Sequence, residues 1–172
     1  MDRQHAELLR SAIAYDRGDP KRIQHLVKVH GLAAAMGVLE GLDGETQSIL
    51  EAAAILHDIG IHISEEKYGS CNGKYQEQEG PGEAEKLLRR QGCWTEAQIS
   101  RIQYLIAHHH TYTDMEGADY QILVEADFLV NLYEDNESPQ AVEAARRSIF
   151  RTGTGNRLLD EMFAPERRRV LP

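Results

Sequence analysis

At His57-Asp58 an imidazole and a carboxylate stand side by side, and these are the usual nitrogen and oxygen ligands of a borderline divalent metal. The two oxygens of the aspartate also allow it to bridge a pair of ions. Alone the pair is weak, because a histidine at the C-terminal end of a helix is equally well explained by the negative end of the helix dipole. Two further residues change that balance. His25 lies in the apolar stripe of an earlier helical segment, and Asp127 lies in line with Leu123 and Val130 on a later one. A carboxylate is expensive to bury without a partner, so Asp127 on a core-facing stripe needs a cation, a metal or a helix-cap role. A lone buried histidine, by contrast, is most simply a hydrogen-bonded core residue. His108-His109-His110 adds another group at a helix end, where Ile102 and Ile106 mark the inner face and turn at least one imidazole inward. Taken alone, that run reads as a polar helix end.

The elements that must position these residues are helices. Ala6, Leu9, Ile13 and Ala14 recur at helical spacing over residues 3–17, ending before Gly18. Asp19-Pro20 supplies an N-cap and a proline at the first helical position, and the apolar stripe Ile23, Leu26, Val27, Val29, Ala33 and Met36 carries a second helix to Glu40. A third helix is expected over 44–60, with His57-Asp58 at its end. Residues 64–78 show no clear periodicity and are expected to form a loop long enough to act over a substrate. Helix four is expected from Pro81 to Arg90. Thr95-Glu96-Ala97-Gln98 reads as a capping box for a helix reaching His109. Further helices are expected over 118–134, from Ser138-Pro139 to Phe150, and as a turn or two from Leu158 to Phe163. No repeat, low-complexity tract or linker divides the chain, so one domain over 1–172 is expected, with its C-terminal helices over 136–165.

Composition agrees with an all-α fold. The chain has 172 residues, 41% hydrophobic and 27% charged, and only 6% aromatic, a mix rich in side chains that lose little rotamer freedom in a helix. No run of about 18 apolar residues occurs, and the opening Met1-Asp2-Arg3-Gln4-His5 has no apolar segment behind it, so a cytoplasmic location without membrane spanning is expected. Cys71 and Cys93 do not make a metal-type pair and read as free thiols of a reducing compartment. The net charge of −9 argues against a sequence-independent grip on nucleic acid, which needs many cations on phosphates, and no stable nucleic-acid complex is expected. A small anionic substrate remains compatible, because bound metal ions invert the local field.

In order and spacing, His25, the His57-Asp58-Ile59-Gly60 run and Asp127 within Glu125-Ala126-Asp127-Phe128-Leu129 resemble the HD-domain superfamily of metal-dependent phosphohydrolases. The likeness extends over residues 20–135 and implies an HD-type bundle of about six to eight helices. It also implies that His25, His57, Asp58 and Asp127 hold a first metal, with Asp58 bridging to a second and with Asp58 and His57 carrying the catalytic step. Branches with two metals add a histidine on the fourth helix and a His pair after the fifth. Here Glu79-Gly80-Pro81 stands at the first of these places and His109-His110 at the second, so Glu79, His109 and His110 complete the implied ligand set. Glu79 departs from the pattern, although a carboxylate can serve as an oxygen ligand. The donors suit one or two ions of Fe, Mn, Co, Ni or Zn. A metal-activated water then hydrolyses the phosphate ester of a nucleotide or another small phosphorylated substrate.

For that substrate, Arg22 and Lys28 flank His25 by three residues on either side, and Lys67 and Lys74, with Tyr68 and Tyr75, lie on the expected loop. Each reads equally as a solvated surface residue. Asn131, one turn past Asp127, is placed to support it. His30 and His62 match no position of the family pattern. Two other readings share these ligands: a di-iron HD-type oxygenase, and a non-catalytic module that binds a metal or nucleotide.

Overall fold

Nine helices make up the described residues, 1–163, of the computed structural model: α1 (Arg3–Tyr15), α2 (Pro20–Leu39), α3 (Gly44–Leu56), α4 (Ile61–Tyr68), α5 (Gly73–Gln91), α6 (Glu96–Ile106), α7 (Ala118–Glu134), α8 (Pro139–Ser148) and α9 (Gly153–Phe163). No strand occurs among them. The all-α reading is therefore what is seen, with α4 as a helix the sequence did not suggest; the end of the expected 136–165 segment falls outside the described residues. No helix among the described residues is long and apolar enough to cross a membrane.

The helix starts follow the chemistry of their caps. Asp19 accepts from the Arg22 amide at 3.1 Å ahead of Pro20, and Ser138 accepts from the Ala141 amide at 3.2 Å ahead of Pro139. Thr95 and Gln98 form the reciprocal capping box expected of them. The central helix is α3, whose residues from Ile49 to Leu56 are all buried. It packs against α1, α2, α6 and α7, and α2 also lies along α7. One cluster of buried apolar side chains runs from Leu8 on α1 to Leu159 on α9.

The expected loop over 64–78 is a correction. Residues 61–68 and 73–91 are helical, and the connection between them is confined to 69–72. The physical reason is close packing by glycine. A Cβ on Gly60 would stand 2.7 Å from the Gln76 carbonyl oxygen and 2.8 Å from the Gly80 nitrogen, and a Cβ on Gly80 would stand 2.9 Å from Ile106. The inner face of α5 therefore begins with Gln76 and Gly80 before reaching Ala84, Leu87 and Leu88, and its first two turns carry no apolar periodicity. Pro81 lies inside α5, its carbonyl oxygen accepting from Gln103 at 3.2 Å. Two other helices end early. α3 stops at Leu56 and α6 at Ile106, so His57–Gly60 and residues 107–110 are turns that project their side chains off the helix ends.

Candidate metal centre

The ends of α3 and α6 meet the middle of α7 and the first half of α2. His57 caps α3 and is fully buried, and His109, past the end of α6, is 1% exposed. Asp127 comes from α7 and His25 from α2, both buried. Their ligand atoms converge. His25 Nε2 lies 3.2 Å from His57 Nε2 and 3.2 Å from Asp127 Oδ1, while His57 Nε2 lies 3.6 Å from Asp127 Oδ1. Asp58 Oδ2 is 3.4 Å from His25 Nε2 and 3.5 Å from His57 Nε2, and Asp58 Oδ1 is 3.5 Å from His109 Nε2.

The other nitrogen of each ring fixes which atom carries hydrogen. His57 Nδ1 donates to the Ala54 carbonyl at 2.9 Å, His109 Nδ1 to the Ile106 carbonyl at 2.7 Å, and His25 Nδ1 to the Glu134 carboxylate at 3.0 Å. In the neutral rings all three Nε2 atoms are then bare lone pairs, and they face one another and two carboxylates. Acceptors set against acceptors in a buried space require positive charge between them, brought by protons or by a metal ion. His109 Nε2 and His110 Nε2 are buried without a hydrogen-bond partner among the described residues, as such an arrangement demands. The spacing also fits. Two donors about 2.1 Å from one ion, at tetrahedral or octahedral angles, stand about 3.0–3.4 Å apart, against the 3.2–3.6 Å separations found among His25, His57 and Asp127.

Two groups can each hold an ion: His25, His57 and Asp58 form one, and Asp58, His109 and His110 the other. Asp58 belongs to both, which is what a bridging carboxylate must do.

The electrostatics can be balanced by protons or by metal. Burial opposes a charged His57 ring, yet Asp58 and Asp127 outweigh it and hold its pKa up at about 9. Burial likewise opposes ionisation of Asp58 and Asp127, and the neighbouring imidazoles overcome it and keep both well below the usual carboxylate range. His25 is raised, its burial outweighed by Asp127 and Asp58. His110 goes the other way, pushed down to about 4 by burial and by the charge of His109. A divalent ion supplies to these carboxylates the charge that protons would otherwise bring.

A further layer orients the ligands. Glu134 accepts from His25 and from Lys28, and Asn131 donates to Asp127 Oδ1 at 2.9 Å. Glu134 carried no sequence signal beyond its place three residues past Asn131. Gly73 belongs to the same layer, because a Cβ there would stand 2.7 Å from the His110 ring.

Not every expected residue joins the cluster. Glu79 stands apart from the cluster: its carboxylate is held by Lys67 and by the Tyr68 hydroxyl at 2.7 Å, and it belongs to neither group of candidate ligands. The reason is geometric. α5 begins at Gly73, and the α5 carboxylate nearest the His run is Glu77, which accepts from the His110 amide at 3.1 Å and the Thr111 hydroxyl at 3.0 Å. Lys67 is thereby committed to Glu79, Lys28 to Glu134, and Lys74 is exposed on the first turn of α5. Arg22 does reach the cleft above Asp58, a depression of about 260 Å³ that His25 and Asp58 also line. Its guanidinium is engaged by Glu65 at 2.6 Å, Asp19 at 3.1 Å and His62 Nδ1 at 2.9 Å. Asp58 is the cluster residue most open to that cleft, with 24% of its side chain exposed. His108 turns away, donating to the Tyr104 carbonyl at 2.7 Å.

With this geometry in view, the HD domain family model matches residues 22–148, a span that holds every ligand of the two groups. The chain belongs to the HD domain family. It is also similar to the crystal structure of a predicted HD superfamily hydrolase from an uncultured Thermotogales bacterium, with 24% identity and a TM-score of 0.63 over 94% of this chain and 84% of that one. That likeness is one of fold. No curated protein matches this chain.

Proposed function

We propose that the protein is a metal-dependent phosphohydrolase that cleaves the phosphate ester of a small molecule with metal-activated water. The observation that carries this reading is the convergence of three Nε2 atoms on two carboxylates, a donor set suited to Fe, Mn, Co, Ni or Zn. His25, His57, Asp58 and Asp127 would hold one ion, and Asp58, His109 and His110 a second. A divalent ion so held lowers the pKa of its water toward about 7 and polarises a phosphoryl oxygen. The residues do the rest. His57 stays fixed by its bond to Ala54, Glu134 aims His25, and Asn131 steadies Asp127. Asp58, open to the cleft, is the ligand that substrate and the attacking water meet first. The exposed free thiols Cys71 and Cys93 accord with work in a reducing cytoplasm.

A second reading is kept by one observation. The two groups share Asp58 without any need of Glu79, so a paired-iron oxygenase also finds its ligands here. Metal content measured in protein purified without chelator, together with phosphate release from a panel of phosphoesters under Mn, Co, Ni, Fe and Zn, separates the two. Metal-stimulated phosphate release is expected. Two bound irons with no phosphate release from any ester would favour the oxygenase, and absence of metal under every supply would refute the ligand assignment.

A further inference from the structure

We infer that the cleft over Asp58 takes the monophosphate ester of a small alcohol bearing hydroxyl or amino groups, in preference to nucleotides and polyphosphates; this rests on the phosphohydrolase reading above. Access sets the starting point. His57 and His109 have no exposed side-chain surface and Asp127 has 4%, so substrate meets the cluster where Asp58 and His25 line the cleft.

Charge comes next. Beyond the cluster, the cleft walls carry Asp19, Glu134 and Asp135 against Lys21 and Arg22. Arg22 shares its charge with Glu65 and Asp19, whereas Lys21 has no carboxylate partner among the described residues. One uncommitted cation beside the metal ligands suits one phosphate. Asp19 is paired with Arg22 and Glu134 with Lys28, so a triphosphate chain would carry its added negative charge toward the unpaired Asp135, where like charges raise the cost of binding.

The wall then describes the leaving group. Asp135 is exposed and its carboxylate has no hydrogen-bond partner among the described residues, and Asn131 turns its side-chain amide nitrogen to Asp127, leaving its Oδ1 to accept. A surface of acceptors is complementary to donors, which hydroxyl and ammonium groups supply. Among the described residues no phenyl, phenol or indole ring lines the cleft, and a nucleobase is ordinarily held by stacking on such rings. At about 260 Å³ the cleft is also smaller than the roughly 300–1,000 Å³ of sites that enclose drug-sized ligands.

The test uses the metal-loaded full chain and compares kcat/KM for glycerol and sugar monophosphates, aminoalkyl monophosphates, nucleoside mono- and triphosphates, and p-nitrophenyl phosphate as a neutral reporter of ester hydrolysis. The expected result is a preference for donor-bearing monophosphates over nucleotides of roughly tenfold or more, with the hydroxyl and amino arms showing which donor the wall favours. Calorimetry with the matching non-hydrolysable phosphonates should give the same order of affinity. Asp135→Lys should move selectivity toward the triphosphate by a similar factor. Nucleotides or triphosphates preferred by the wild type would overturn the inference while leaving the phosphohydrolase standing. p-Nitrophenyl phosphate cleaved with no discrimination among the others would also overturn it. No phosphate from any ester would remove both.

Discussion

Five histidines of this protein are buried, and they fall into two kinds. His5 and His30 are core residues: His5 lies between Asp2 at 2.8 Å and the Ser48 carbonyl at 3.0 Å, and His30 Nε2 meets Glu51 at 3.1 Å. His25, His57 and His109 are also buried, but each turns its Nε2 toward the other ligand atoms of the cluster. Burial therefore does not distinguish a ligand from a core histidine. The partner of the second ring nitrogen does, because a polar atom left facing its own kind is tolerable only if something cationic comes between.

The strongest way to break this comparison is Asp58→Asn, since Asp58 belongs to both groups and opens to the cleft. It should abolish phosphate release while the helical circular dichroism remains native, and it should weaken metal binding by more than the roughly 10–100-fold typical of losing an outer partner. Retained turnover would show that neither group is catalytic. Glu134→Ala is next: with His25 Nδ1 deprived of its acceptor, metal affinity should fall by roughly 10–100-fold, read by chelator competition. An unchanged affinity would mean that α2 alone orients the ring.

The core histidines answer with stability instead of metal. Glu51→Ala leaves His30 buried against an absent partner, at a cost of about 1–3 kcal/mol, measured by denaturant unfolding, with metal content unchanged. Their pH dependence has a definite sign. Burial holds His30 below its ordinary pKa despite the bond to Glu51, and Glu51 is held below its own ordinary value, its burial outweighed by Gln47 and His30. The pair is thus a neutral ring donating to an ionised carboxylate. As pH falls from 7 toward 5 the unfolded chain takes up the His30 proton more readily than the folded one, so this stability is present at neutral pH and lost in acid. The advantage of wild type over His30→Gln should shrink across that interval; a constant gap would show that His30 does not titrate differently on folding.

What the sequence revealed follows the same division. His25 and Asp127 were legible because they interrupt apolar stripes, and His57-Asp58 because of its own chemistry. The partners of the ring nitrogens were not, since Ala54 and Ile106 act through backbone carbonyls that any residue would provide. Glu134 sits 109 positions from the ring it aims. The helical nature of α4 and the first turns of α5 was hidden for a different reason. There the inner face is written by Gly60, Gly80 and Gln76, which allow close approach without supplying the apolar repeat that marks a helix. Misreading that stretch as a loop also misplaced Lys67 and Lys74, which sit on helices.

Glu79 supplies the smallest expected effect and the finest edge of the comparison. Its carboxylate already has Lys67 and Tyr68, so unlike Asp58 it has no unbalanced charge to offer an ion. Those partners also hold it below its ordinary pKa, with Lys67 as the larger influence. Glu79→Gln should leave metal stoichiometry unchanged and alter only the local pairing on α4 and α5, measured by metal analysis beside a thermal melt. A loss of one ion per chain would mean that Glu79 exchanges Lys67 for metal when the site is loaded, and the second group would then include α5 after all.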